Sequence, residues 1–523
     1  MKWLASGALL ISAVSVFFVG CSTKLPSNQE LQVKNHIPQS FKNSLTIQNT
    51  NHQNATTQNK IAPNKTTQNV ADKSAKQATK KDNTLEQFMQ LISDEKLSAL
   101  LQIALERNTN VLTMVSRINQ AKAQAKISTA NMFPTINAGL NTNYTDRRTQ
   151  SQSLAVRPGT NSVNASLSVS WELDLFGKLN ALRQSSKKAY AQAQDNLAFA
   201  QISLIAEVGT LYFTLRNNAF SIAQAKEMLA NLEEIDSINA QKYNDGLIDI
   251  NTYKTAKANL ITQKNTLETL SYTYEQNKNA LLVLLDINHD DLEKQIDFLD
   301  SGFELPLVNA FDINTLPSEV ILNRPDVRAS VNALYAQLYK ITNAKAARLP
   351  SISLSGSVGQ LLYSNMGGNS LVFQIANAIT TPLLNRTTLK QTYIIQQELG
   401  KEAYYTLQNT INTALSEIEN ALFNMDSQRR QVANNKIALD IGQSAYQTDE
   451  VRSQNGMLEL SEFLTNKNSY LTLQTQLFTS KTNELISAIT LFKAFGGEMY
   501  FFDDTHLESK EDETKNQNNK EAQ

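Results

Sequence analysis

The 523-residue chain predicts an α+β membrane protein: a duplicated unit giving four transmembrane β-strands plus long antiparallel α-helical coiled-coil hairpins. Three observations carry this. The body of the sequence repeats itself once; each copy holds two runs of alternating polarity, the clearer of them too long for an ordinary soluble sheet; and each copy then continues proline-free for far longer than a compact domain needs.

The repeat emerges on aligning the stretch that starts ALERNTNV at Ala104 with the one that starts VILNRPDV at Val320. Val111 then meets Val327, Ala130 meets Ala346 and Pro134 meets Pro350; further on, Glu207-Val208 meets Glu417-Ile418 and Phe213 meets Phe423. Two copies of a unit of about 200 residues are too few for a solenoid, which leaves a pseudo-symmetric duplication. The copies occupy residues 84–300 and 301–502.

Within each copy the hydrophobic period changes in the same order. After Pro134, residues Ile136, Ala138, Leu140, Thr142 and Tyr144 share one face, giving a strand over about 134–145. A polar loop leads to a second strand over about 162–174. There Val163, Ala165, Leu167, Val169, Trp171 and Leu173 alternate with Ser162, Asn164, Ser166, Ser168, Ser170 and Glu172. Alternation at this length matches a transmembrane β-strand rather than the usual five or six residues of a soluble sheet, the alternative being a soluble amphipathic hairpin. The second copy repeats the pattern less cleanly over about 350–362 and 370–381, with Ile352, Leu354 and Val358, then Leu371, Phe373 and Ile375. Four strands close no membrane barrel, and an open edge in lipid leaves backbone groups unpaired, so membrane-spanning strands here require several chains to assemble.

The remainder reads as helix. From Lys178 to about Tyr243 there is no proline, and apolar residues such as Ile202, Ile205, Val208, Leu211 and Leu215 fall at spacings of three and four. A run of this length reaches roughly 100 Å at 1.5 Å per residue. The second copy runs from Leu389 to Gln454. Each long helix ends at a glycine turn, Asp245-Gly246 or Asn455-Gly456, and a return helix follows, Asp249 to about Leu285 and Glu459 to about Phe495. A single helix is expected ahead of each hairpin, Thr84 to about Asn131 and Pro317 to about Ala347.

Both ends of the chain differ from this body. Residues 1–20 form a signal peptide, with Lys2 ahead of an apolar run from Trp3 to Gly20. The run ends at Cys21, the sole cysteine of the chain, and Phe18-Val19-Gly20-Cys21 resembles the bacterial lipoprotein box, with Phe18 where leucine is usual. The resemblance implies a covalent lipid, diacylglycerol and an N-acyl chain, on Cys21; the alternative is a thiol that merely ends a signal sequence or uncleaved anchor. Ser22 then implies sorting to the outer membrane. With Cys21 acylated, no disulfide is available. Residues 21–83 are a lipid-anchored segment whose Asn/Gln/Thr/Lys-rich stretch at 47–82 lacks the apolar surface to offset ordering entropy, and residues 503–523 are a disordered charged tail. The formal charge of −1 gives no electrostatic reason to expect nucleic acid as a partner.

Trp171-Glu172-Leu173-Asp174-Leu175-Phe176-Gly177-Lys178 is similar to the strand-to-helix signature of the TolC-like outer-membrane factors, in the lipoprotein branch that serves resistance-nodulation-division (RND) tripartite efflux pumps. ALERNTNV, LNRPDVRA and the paired turns KYNDGLIDINTY and RSQNGMLELSEF carry the same resemblance; Thr381-Pro382-Leu383-Leu384-Asn385-Arg386 departs from it by lacking the family's glycine pair. The resemblance implies a homotrimer whose twelve-stranded β-barrel in the outer membrane continues as a periplasmic α-helical barrel. It implies an exit duct that conducts drugs or other small toxic compounds passively, with a periplasmic adaptor protein, an RND-type inner-membrane pump and outer-membrane lipid as partners. No catalysis, metal or cofactor beyond the Cys21 lipid is expected: the chain has no GxxxxGK[ST], GxSxG or HExxH, and His36, His52, His289 and His506 lack ligand spacing.

By motif position Glu462 matches the acid that the family places as a ring in the closed pore, while Thr252 occupies the corresponding first-copy site. Asp449, Arg452, Glu459, Asp245 and Asp249 are the nearby candidates for latch pairs, and Gly246-Leu247 and Gly456-Met457 are the candidate adaptor contacts; the bland reading of the acids is a solvated coiled-coil face. Two other functions share parts of this pattern. A type I protein secretion duct has the same architecture but is usually not acylated, and a structural coiled-coil lipoprotein leaves the alternating strands unexplained.

Overall fold

The duplication dictates the order of elements in the computed structural model, which describes residues 83–145, 160–299, 302–309, 311–312, 317–364, 370–380, 385–498 and 500–501. The first copy comprises α1 (Asn83–Leu91), α2 (Glu95–Arg107), α3 (Thr109–Ala130), β1 (Thr135–Thr145), β2 (Thr160–Leu173), α4 (Lys178–Asn244), α5 (Ile250–Leu285) and α6 (His289–Gln295). The second comprises β3 (Phe311–Asp312), α7 (Pro317–Asn323), α8 (Pro325–Ala346), β4 (Ser351–Ser364), β5 (Leu371–Thr380), α9 (Arg386–Gln454), α10 (Leu460–Ala494) and β6 (Tyr500–Phe501). The signal peptide, Cys21, Ser22, the 47–82 linker, the 503–523 tail, both hairpin loops and Thr381 to Leu384 lie outside the described residues.

The chain divides into two compact units. The first takes residues 116–195 and 328–410 of the described chain and holds the four strands; the second takes the described residues up to 115 together with 196–327 and those from 411 onward. α4 and α9 contribute to both.

In the first unit the strands form one antiparallel sheet in the order β1-β2-β4-β5, so the hairpins of the two copies join along β2 and β4. The register places Ile136 opposite Val169, Leu140 opposite Ala165, Trp171 opposite Leu354 and Gly356 opposite Ile375. One face is therefore mostly apolar, interrupted by Gln360 opposite Ala165 and by Asn377 opposite Leu354, and the register shifts between Val163 and Asn164. The other carries Asn137 opposite Ser168, Ser170 opposite Ser355 and Ser357 opposite Gln374. β1 and β5 are each paired on one side among the described residues.

The strand-to-helix signature works by capping. Asp174 accepts from the amides of Leu179 (2.9 Å) and Asn180 (2.7 Å), and Gly177 takes φ +73°, the left-handed conformation that lets the chain turn into α4. Trp171 Nε1 donates to the Met132 carbonyl at 2.9 Å, fixing the strand end against the turn before β1.

The core of the second unit is helical. Phe88 and Phe492 meet edge to face at 5.3 Å, Phe220 stacks on Phe478 at 4.1 Å, and Gly209 lets α4 approach Ile489 and Phe88 closely. α4 is long and apolar enough by composition to cross a membrane, yet half of that apolar window is buried, with Val208, Tyr212 and Phe213 fully enclosed. Protein contacts account for its hydrophobicity.

The single helices expected before each hairpin are broken. α1 gives way to α2 at Asp94, whose carboxylate accepts from the Leu97 amide at 3.0 Å, and α2 gives way to α3 at Asn108, which leaves the helical region at ψ 121°. Buried Asn108 caps the next helix by accepting from Asn110 and Val111, and donates to the Leu284 carbonyl at 2.9 Å. In the second copy the break falls at the aligned residue, Arg324, ahead of Pro325 as the first residue of α8. α6, the β3–β6 pair and the Ile92–Val308 bridge are further elements absent from the periodicity reading.

The glycine turns form as expected. Gly246 and Gly456 take φ +73° and +70°; Leu247 N donates to Lys242 O and Met457 N to Arg452 O, both at 2.8 Å, closing the ends of α4 and α9.

Candidate channel lining and helical tips

The sheet separates two chemistries. Its apolar face exposes Ile136, Leu140, Tyr144, Phe373, Ile375 and Ile379, the last three at 72%, 90% and 71%. A contiguous exposed apolar surface of this kind is unsuited to water and suited to lipid. The opposite face is mostly serine, asparagine, threonine and glycine on β1, β2 and β4, with Glu172 at the end of β2 and Val372, Gln374, Ala376 and Ala378 on β5, a surface polar enough to suit a water-filled bore. Among the four strands Glu172 is the one charged residue.

At the turns of the helical hairpins the structure distributes the sequence-predicted residues unevenly. Asp249 caps α5, accepting from the amides of Asn251 (2.7 Å) and Thr252 (3.1 Å) and from Thr252 Oγ1 (2.6 Å), and the Thr252 hydroxyl foremost holds its carboxyl below the usual range. It is thus a helix cap within its own turn. Glu459 occupies the same position before α10 but caps nothing with its side chain; it pairs instead with Lys242, at the end of α4, and accepts from Ser461. The Lys242 ammonium, and after it the Ser461 hydroxyl, lower its pKa.

Asp449 joins two contacts, an ion pair with Arg452 at 3.3 Å and a bond from Asn466 Nδ2 at 2.8 Å that crosses from α9 to α10. Glu462 is exposed in the first turn of α10, with no ion pair or side-chain hydrogen bond among the described residues, and Asp245 is exposed beside its turn. Leu247 and Met457 are each 72% exposed, so both turns present an apolar side chain at their apex.

Lys242 was not among the residues singled out from sequence; its signal was a basic residue in the last turn of a long helix, where it also suits the macrodipole. It begins a polar seam between α4 and α10. Lys467 pairs with Glu227 at 2.8 Å, Asn231 donates to Asn468 at 2.7 Å and Thr479 to Asn217 at 3.0 Å. Elsewhere at this end, aromatic stacking closes each hairpin, Tyr243 on Tyr253 at 5.5 Å and Tyr446 on Tyr470 at 4.8 Å. Near the turns each hairpin is thus tied internally by rings and α4 meets α10 through polar bonds that water can replace, whereas farther along the same two helices meet through the Phe220–Phe478 stack. Beside the seam α4, α5 and α10 line an open groove of about 760 Å³ with Asn239, Asn259, Thr465 and Asn468 over Leu232 and Ile235.

Comparisons with known proteins agree with this division into sheet and helical hairpins. The chain is 27% identical over 429 residues to the probable efflux pump outer membrane protein TtgC of Pseudomonas putida, covering 79% of this chain and 85% of that one. It is equally similar, over the same shares, to the antibiotic efflux pump outer membrane protein ArpC of Pseudomonas putida. The solved CmeC outer membrane channel of Campylobacter jejuni superposes with a TM-score of 0.69 at 25% identity, covering 80% of this chain and 89% of that one. The family described as outer membrane efflux protein matches residues 100–285 and 316–497, one match in each copy of the repeat. The chain therefore belongs to the outer membrane efflux protein family, as an outer-membrane channel with a long periplasmic helical part.

Proposed function

We propose that three copies of this chain close a twelve-stranded barrel and act as the exit duct of a tripartite pump. It passively conducts drugs or other small toxic compounds handed on by an RND-type inner-membrane pump through a periplasmic adaptor. The observation that carries this is the four-stranded sheet with one lipid-suited face, one water-suited face and two edges unpaired among the described residues. Closure by identical neighbours satisfies those edges. The antibiotic role named for ArpC supports the substrate class. The lipid on Cys21 assists targeting and assembly, and the turns at Gly246-Leu247 and Gly456-Met457 are the adaptor contacts. A strain lacking this chain should accumulate hydrophobic antibiotics and lose resistance to them, and the restored chain should reverse both. Unchanged accumulation with loss of a secreted polypeptide would favour a protein-secretion duct instead.

Gating resides in the pairs at the tips. Lys242–Glu459 latches α4 to the start of α10, Asp449–Arg452 braces α9, and Glu462 supplies the acid that selects cations. Lys242→Ala and Glu459→Ala are each expected to raise the closed-state conductance of purified channels in planar bilayers, and the double variant no further than either alone. Because Lys242 depresses the Glu459 pKa, the latch is fully present above the ordinary carboxylate range and is lost as pH falls through the lowered value. Wild-type conductance should therefore stay flat near neutrality and rise only in acid below the usual glutamate range. Additive single variants, or a rise centred near neutrality, would remove the latch from this pair. Glu462→Ala should lower cation preference without changing the latch.

A further inference from the structure

Glu172 stands alone as a charge within the four strands, and its neighbourhood is arranged around it. It is the last member of the polar face of β2, after Ser162, Asn164, Ser166, Ser168 and Ser170, and its carboxylate pairs with the ammonium of Lys178. Lys178 is the first residue of α4, where a cation opposes the helix macrodipole, and that first turn contains no acid. Asp174, the nearest other carboxylate in sequence, already accepts from the Leu179 and Asn180 amides. The lysine backbone is held independently, its carbonyl accepting from Asn343 Nδ2 at 2.8 Å. A basic residue in an electrostatically poor position, fixed by its backbone and paired with the one charge of the strand lining, calls for a role beyond helix stability.

We propose that Lys178 is a specificity-determining residue of the duct: by pairing with Glu172 it cancels the single fixed charge on the polar face of the strands, so that the barrel section passes solutes without selecting by charge. The inference rests on the duct reading above, which turns that face toward the bore. Both side chains keep about a third of their surface exposed, 32% for Lys178 and 36% for Glu172, so each remains in contact with the aqueous side. Removing either partner from a trimer would expose a ring of three like charges at the end of the strand section, the arrangement that makes pores ion-selective.

The test is the reversal potential of single channels in planar bilayers under a potassium chloride gradient. Lys178→Gln should raise the potassium-to-chloride permeability ratio, Glu172→Gln should lower it, and the double variant should return it to the wild-type value. Exchanging the pair, Glu172→Lys with Lys178→Glu, should also leave it unchanged. Open channels whose ratio ignores both single variants, or a double variant that keeps the shift of one single, would overturn the proposal while leaving the duct reading intact. Should Lys178→Gln yield no trimer, the isosteric Glu172→Gln decides alone, an unchanged ratio counting against the proposal. Wild-type protein that forms no pore in the same bilayers would instead overturn the duct reading itself.

Discussion

Ile375→Lys is expected to prevent insertion of the protein into the outer membrane, whereas Gln374→Lys, one residue away, is expected to be tolerated. Ile375 lies in the middle of β5 opposite Gly356, on the apolar face, and is 90% exposed. In water, a lysine at so exposed a site would cost almost nothing, since its charge stays solvated. Facing lipid near the bilayer midplane it costs about 2–4 kcal/mol in each chain, and three chains bear it together. Gln374 sits opposite Ser357 on the polar face, where a lysine meets the water of the bore and alters ion flow at most. The pair thus separates position on the sheet from the mere presence of a charge. Membrane fractionation, with a trimer band that resists detergent until heated, reads the outcome. Equal yields of inserted trimer from both variants would show that the apolar face does not meet lipid.

The residues that predict this experiment were readable from sequence because a strand reports its faces locally. Alternation from Val163 to Leu173 needs no knowledge of the neighbour, and the observed registers align it with β1, and with β4 and β5 apart from Gln360 and Asn377. The glycine turns were equally legible, since a left-handed residue at the end of a long helix is a demand of the backbone alone. The break at Asn108 was not, although Pro325 marks its counterpart in the second copy. Asn108 interrupts the helical pattern without disturbing its hydrophobic period, and what makes the interruption favourable includes a bond to Leu284, far along the chain. The same holds at the tips, where six gate candidates were named by position. Asp249 and Glu459 occupy matching places before their helices, yet one caps its own helix and the other reaches Lys242 on another. Residue type explains the cap, since aspartate is a preferred N-cap and glutamate is not; that Glu459 finds Lys242 depends on which helix packs alongside.

Arg324 poses this problem most sharply, and Arg324→Met is the second substitution expected to have a large effect. The aligned residue in the first copy is Asn108, so the duplication itself gives no reason for an arginine here. Its side chain is 2% exposed, with both guanidinium edges engaged: Nε and Nη2 fork onto Asp326 at 3.1 and 2.7 Å, Nη2 also reaches Glu417 at 2.6 Å, and Nη1 donates to the Ala494 carbonyl at 2.7 Å. One side chain therefore joins the start of α8, the middle of α9 and the end of α10. The neighbouring backbone is fitted to it, for Gly496 has φ +72° and a Cβ there would lie 3.1 Å from Arg324 Cα. Methionine fills similar volume but takes the guanidinium donors from Asp326, Glu417 and the Ala494 carbonyl, leaving Asp326 only the Val327 amide. Loss of one partner from a fully buried pair costs about 3–5 kcal/mol; here the carboxylates left behind are 21% and 51% exposed, so water screens them and the expected loss falls below that range. Arg324→Lys should recover part of it, since a single ammonium cannot reproduce the fork. Thermal dissociation of purified trimers measures both. If Arg324→Met melts with the wild type, the network contributes no net stability; if Arg324→Lys fully rescues, charge alone matters and the planar geometry does not.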